Sequence, residues 1–418
     1  MVKQSRTNKG IFIIGALFFV FGFVTWLNNI LIPFLKTACE LTSFQASFVP
    51  FAFYISYFVM SLPSSVILKK TNFGNGMVLG LVVMAIGSIL FVPAALNRSY
   101  MLFLIGLFVQ GTGLSLLQTA SNPYVTIIGP IESAAQRISI MGICNKIAGM
   151  IGILVLSHTL FSGTETLIET INKCVDPIQK ESLLQVLSNR VILPYIIMTA
   201  VLMLLVLFLK WVKLPPVEEE FEQEIDSQRA HSTIFSYPNL WLGALAIFFY
   251  VGAEVIAIDF LIPYGDYFHV SRSVSSNFGI FALIALIVGY LLSIVAIPRF
   301  LTQRQAFLVQ IFVAIALTIV AITTTGIGSV IAIIALSYAH AIMWPAIWPL
   351  SIHNLGKFTK VGSAILVMAI AGGAILSVTY GKLSDIFNPQ TAYALLFVSY
   401  AYLLFFATVG YKITGKKR

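Results

Sequence analysis

The chain has 418 residues, 58% of them hydrophobic and only 10% charged, with a formal net charge of +9 and a mean hydropathy of +0.94. Ordinary globular domains carry about a quarter charged residues, so a chain this apolar cannot cover itself with a polar surface. Soluble dehydrogenases, hydrolases and DNA-binding proteins are excluded, and many apolar runs have the length that a helix needs to cross a hydrocarbon core of roughly 30 Å.

Taken in order, the runs predict an all-α membrane protein of twelve spans. Helix 1 (11–35) begins in a run too long for a signal peptide, with no small-residue cleavage site at its flank, and is expected to remain as a span. It carries Trp26, Asn28 and Asn29 and ends near Pro33. Helices 2 and 3 (44–68 and 74–97) follow. Helix 4 (100–128) contains Gln118-Thr119-Ala120-Ser121-Asn122-Pro123-Tyr124. Carboxamides, hydroxyls and an aromatic in one membrane helix suit sugar recognition, because each sugar hydroxyl needs a donor or acceptor and ring C–H faces pack on aromatics. Gln118, one turn from Asn122 and on the same face, is read as a ligand contact. Asn122 either joins it or satisfies carbonyls freed by a kink at Pro123. Helix 5 (136–161) places Lys146 at membrane depth beside Asn145.

Residues 162–190 form a polar loop long enough for a short surface helix, before helix 6 (191–212). After it, Lys213-Leu-Pro-Pro-Val stops the helix and an acidic run through Glu218–Asp226 reads as a solvated linker. The domains are therefore a first bundle at 1–212, a linker at 213–239 and a second bundle at 240–418. Helix 7 (240–264) carries Glu254 and Asp259, five residues apart and so on different faces. Helices 8 and 9 (275–298 and 305–325) are mostly apolar. Helix 10 (328–352) sets His340, Trp344 and Trp348 four residues apart, a single polar and aromatic stripe. The two tryptophans suit sugar stacking or core packing, and His340 is either a proton carrier or a neutral, hydrogen-bonded histidine. Helices 11 and 12 (362–383 and 391–411) complete the set.

An even number of spans puts both termini on one side. Seventeen Lys and Arg then fall on the side of the termini, seven on the other and one, Lys146, within the membrane, accounting for all 25. By the positive-inside rule the termini are cytoplasmic, in a cell inner membrane, and the basic surplus answers to anionic lipid rather than nucleic acid. The three cysteines show neither metal spacing nor a disulfide framework and read as free thiols. No nucleophile elbow, phosphate loop or His–Glu metal pattern appears, so neither an enzyme nor a cofactor is expected.

The halves repeat. At an offset of 230, Leu31-Ile32-Pro33 matches Leu261-Ile262-Pro263 and Asn29 falls on Asp259; at 223, Ile147-Ala148-Gly149 matches Ile370-Ala371-Gly372. Two six-helix bundles related by an axis along the membrane normal form the major facilitator architecture, with a solute site at mid-membrane between them. In that arrangement helices 1, 4, 7 and 10 line the cavity and helices 3, 6, 9 and 12 face lipid.

Several stretches resemble the fucose–galactose–glucose permease family of that superfamily. They are Leu27–Pro33, Gln118–Thr126, Tyr250-Val251-Gly252-Ala253-Glu254-Val255, His353-Asn354-Leu355-Gly356-Lys357 and Val367–Gly373. The resemblance implies a monomeric importer of a hexose-like solute driven by a coupling cation, with Asn145 on the sugar. It also implies an aspartate where this chain has Asn29, and small residues at the positions of Lys146 and Asp259. The expectation is that Asp259 replaces the missing acid as the coupling group and pairs with Lys146 when the halves close. Asn29, Gln118, Asn122 and Asn145 are expected to bind hydroxyls, with Trp26, Trp344 and Trp348 stacking. Three rivals stay open: an uncoupled facilitator, a chain locked in one conformation by Asn29, and a permease that recognises an anionic solute through Lys146.

Overall fold

The computed structural model describes residues 2–71, 73–127, 134–161, 164–212, 233–296, 300–352, 355 and 358–413. Within helices, some side chains, including those of residues 2–11, Asn28 and Asn29, fall outside the described set. Most of the linker at 213–239 falls outside it as well, as do His353 and Asn354.

Among the described residues twelve helices are long and apolar enough to cross a membrane. They are helix 1 (Phe12–Ala38), helix 2 (Ser43–Leu68), helix 3 (Phe73–Leu96), helix 4 (Tyr100–Asn122), helix 5 (Ile140–Leu160) and helix 6 (Pro177–Val212). The second set is helix 7 (Pro238–Asp259), helix 8 (Arg272–Ala296), helix 9 (Gln303–Thr323), helix 10 (Ile327–Ile352), helix 11 (Val361–Ile386) and helix 12 (Pro389–Lys412). No strand occurs among the described residues.

Ten of these spans follow the sequence expectation closely. Helix 6 differs. The expected surface loop supplies two helices, Thr164–Lys173 and Pro177–Asn189, and the second runs into the span. Asp176 caps it, accepting from the Ile178 N–H, with Pro177 at the first helical position. Its apolar side, Leu184 and Leu187, is buried. Gln185 and Ser188 both donate to the Ala95 carbonyl at the end of helix 3. Helix 7 differs too, because it ends at Asp259 and a separate helix, Leu261–Tyr267, follows Phe260.

Prolines explain that break and one other. A proline has no N–H for the carbonyl four residues back and crowds it. Pro263 does this to Asp259, and the helix ends there. Helix 1 also divides, at Leu27, into Val2–Trp26 and Asn28–Ala38, but Pro33 lies inside the second helix and the Leu27 carbonyl still accepts from the Leu31 N–H at 2.9 Å, so that break is not a proline's. Helix 10 divides after His340, the residue before Ala341, whose carbonyl Pro345 leaves without its helical donor. Helix 4, by contrast, continues to Ile127 in one piece.

The duplication read from the sequence is visible in packing. Gly22 of helix 1 lies against the backbone of helix 5, where an added Cβ would sit 1.8 Å from the Asn145 carbonyl oxygen. Gly372 of helix 11 meets helix 7 in the same way, 1.8 Å from the Phe248 oxygen. Gly149, the other member of the matched tripeptides, receives the Trp26 ring of helix 1. Helix 5 on helix 1 and helix 11 on helix 7 are thus equivalent contacts, closed by small residues as membrane helix pairs commonly are. The halves meet along helix 2 with helix 11 and along helix 5 with helix 8, and these two contacts also exchange under the repeat.

At the end of the bundle away from the termini, the halves are fastened directly. The Phe44 N–H donates to Asp385 Oδ2 at 2.9 Å, and the Lys382 ammonium lies 5.5 Å from the centre of the Phe44 ring. Gly381 abuts the Ser47 side chain. Cys39 lies five residues before Phe44 in the chain, and burial pushes its thiol up to about 11.

Candidate substrate site

Between the halves lies a cavity of about 140 Å³, well above the roughly 10–15 Å³ that one water needs on the same measure. Its walls come from helices 1, 2, 4, 5, 7, 8, 10 and 11. Among the described residues, helices 3, 6, 9 and 12 contribute nothing to it. In helices 4, 5, 8, 10 and 11 the lining positions fall on the half of the span nearer the termini, below the fastened far end.

The first half supplies carboxamides and a cation. Gln118 lines the cavity and donates to the Tyr57 hydroxyl at 3.2 Å, tying helix 4 to helix 2. Asn122 lines it one turn later. Asn145 accepts from the Trp26 indole N–H at 3.0 Å, and its amide reaches the Phe18 carbonyl at 3.4 Å. The Lys146 ammonium stands 4.2 Å above the Trp26 ring, a cation–π contact. Helix 1 is thereby clasped to helix 5 by an indole that serves Asn145 at its edge and Lys146 on its face.

The second half supplies aromatics and an anion. Trp344 is half-buried on the wall, with Tyr250 beside it at 6.3 Å between ring centres. Trp348 is buried behind Trp344 and stacks on it at 5.3 Å. Glu254 lines the cavity and meets Lys146 at 3.4 Å, with both side chains about nine-tenths buried. Among the described residues no other ion pair joins the two halves.

That pairing corrects the expected one. Lys146 reaches Glu254, not Asp259. Five residues of helix turn the side-chain direction by about 140°, so once packing aims Glu254 at helix 5, Asp259 points elsewhere. Asp259 is fully buried, does not line the cavity, and neither of its carboxylate oxygens has a hydrogen-bond partner. His340 is also off the wall, bonded through Nε2 to the Tyr400 hydroxyl of helix 12 at 2.9 Å. Of the expected contacts, then, Trp26, Gln118, Asn122, Asn145, Lys146, Glu254 and Trp344 share one cavity. Trp348, His340 and Asp259 stand behind it, and the Asn29 side chain lies outside the described residues.

Sequence reasoning missed the tyrosines. Tyr54 and Tyr57 of helix 2, Tyr250 of helix 7 and Tyr290 of helix 8 all line the site. Tyrosine is common at both faces of a membrane, so only the three-residue spacing of Tyr54 and Tyr57, two turns into a span, hinted at a shared inner face.

The sequence profile of the Major Facilitator Superfamily matches residues 14–377. The chain belongs to that superfamily. It is 33% identical over 419 residues to a glucose/galactose transporter of Brucella abortus, covering 98% of this chain and 96% of the relative. It is 30% identical to the L-fucose-proton symporter of Escherichia coli, covering 94% and 91%. Among solved structures it aligns with the transporter FucP in its outward conformation at a TM-score of 0.73 and 28% identity, over 97% of this chain and 99% of that one.

Proposed function

We propose that the chain imports a hexose-like sugar by alternating access, the two bundles moving about the central cavity, with a proton or sodium ion carried alongside. The observation that carries this reading is the wall itself. Three carboxamides, Gln118, Asn122 and Asn145, face a half-buried tryptophan, Trp344, across one cavity. A pyranose needs that combination, directional partners for its hydroxyls and a plane for its C–H face. The sugar and symporter relatives support it. The termini lie at the cytoplasmic face in this reading, on the strength of the Lys and Arg asymmetry, and the protein works as a monomer. Residues 1–212 and 240–418 move as the two bodies, joined by 213–239.

The test is counterflow in proteoliposomes. Vesicles preloaded with D-glucose, D-galactose or L-fucose should accumulate the labelled sugar transiently; no counterflow with any of the three overturns the reading. An anionic solute held by Lys146 is less well supported, because Glu254 at 3.4 Å already answers that charge.

Asp259 is the candidate coupling group. A buried carboxylate without partners is costly when charged, and loading it with a proton or cation relieves that cost. Asp259→Asn should keep counterflow and lose gradient-driven accumulation. Unchanged gradient dependence would remove Asp259 from the coupling step.

A further inference from the structure

The ion pair between the halves has a second use. Lys146 and Glu254 are on the cavity wall rather than behind it, and they come from different halves. At 3.4 Å their contact is long for a charge-assisted hydrogen bond, which closes to about 2.7–2.9 Å. An ammonium has three donors and a carboxylate about four acceptor sites, so one loose contact leaves most of that capacity unused. Tyr250 lines the cavity one turn before Glu254, and the Trp26 ring supports Lys146 from the other side.

We propose that this pair is the sugar's principal clamp: two neighbouring hydroxyls insert between Lys146 and Glu254, one accepting from the ammonium and the other donating to the carboxylate. The inference rests on the sugar reading above and names which part of the sugar is held. A vicinal diol presents an acceptor and a donor side by side, matching an ammonium and a carboxylate that stand side by side at 3.4 Å. Inserting it exchanges one long contact for two charge-assisted hydrogen bonds, each roughly twice as strong as a neutral one. The pair is neutral as a unit, so it favours a neutral polyol over an anion. Lys146 covers the Trp26 face, so the sugar's C–H face lies on Trp344. A solute held this way touches both halves at once, and such a contact differs between open and closed arrangements, the condition a ligand must meet to shift that equilibrium.

The experiment measures equilibrium binding to the purified full chain, using D-glucose, D-galactose and L-fucose and then the monodeoxy analogues of whichever binds tightest. Lys146→Met and Glu254→Gln should each weaken binding about 10- to 100-fold, the loss of one hydrogen bond to a charged partner. One monodeoxy analogue should lose a similar factor on the unaltered chain yet little more on Glu254→Gln, because its partner is already gone. Lys146→Arg, which keeps the charge, guards against simple misfolding and should retain binding better than Lys146→Met. Binding within twofold of normal in both neutral variants overturns the proposal, as do analogue penalties that persist unchanged in Glu254→Gln. If none of the three sugars binds the unaltered chain, the sugar reading fails first and the clamp with it.

Discussion

The two halves share a scaffold and differ in what they put on it. A glycine closes the equivalent helix pair in each half, Gly22 of helix 1 on helix 5 and Gly372 of helix 11 on helix 7, yet the first half brings three carboxamides, Trp26 and Lys146 to the cavity, and the second brings Trp344 and Glu254. At the duplicated position one half has Asn29 and the other Asp259. Duplication fixed the packing, which tolerates little change, and left the side chains facing the cavity free to diverge. A site built this way holds its solute between unlike walls.

The strongest way to break the comparison is through the packing it shares. Gly22→Ala and Gly372→Ala each place a Cβ 1.8 Å from a carbonyl oxygen, a backbone overlap costing more than the roughly 1–3 kcal/mol of ordinary overpacking. Both should abolish monodisperse protein on size-exclusion chromatography; normal behaviour of one alone would show that the halves are not packed equivalently. Next comes the unlike pair. Removing one charge from a buried ion pair costs about 3–5 kcal/mol, whereas removing both is far milder. Lys146→Met or Glu254→Gln should therefore lower thermal stability in detergent more than the double variant does, and a double variant worse than either single one would contradict the pairing.

The aromatic row sharpens the contrast between wall and support. Trp344→Ala should raise the half-saturating sugar concentration about tenfold, near 1.4 kcal/mol, while Trp348→Phe, buried behind it, should stay within about twofold. The smallest effect concerns the fastened far end. With its thiol near 11, Cys39 holds about 0.1% thiolate at pH 8, and the thiolate is the reacting species. Maleimide labelling should be slow and rise about tenfold per pH unit below 11. Asp385→Asn, which weakens the bond to Phe44, should speed labelling by exposing the site; an unchanged rate would separate Cys39 from that closure.

Much of this was legible in the residues. Span number and the duplication are properties of run length and spacing and both hold in the structure, and among the described residues the helices expected to face lipid do not line the cavity. A short helix in 162–190 was legible too, but its continuation as Pro177–Asn189 into helix 6, with Gln185 on the Ala95 carbonyl at the end of helix 3, is a tertiary fact. The choice of Glu254 over Asp259 as the partner of Lys146 was half legible. Spacing showed that the two acids face different ways, but which one meets helix 5 depends on how helix 7 is rotated. The tyrosines escaped because their type is as common at membrane surfaces as in a site.

The helix breaks have a mechanical consequence. Helices 1, 7 and 10 are interrupted at Leu27, Phe260 and Ala341, so each has lost backbone bonds that would otherwise stiffen it at that level. They behave as jointed rods. The far segments, Asn28–Ala38 and Leu261–Tyr267 among them, can swing away from the fastened end by bending at these joints, while the glycine-packed contacts of helix 5 on helix 1 and helix 11 on helix 7 stay intact. Opening the far end then breaks the contacts around Phe44, Ser47 and Asp385 together with those of Asn28–Ala38 on Leu261–Tyr267.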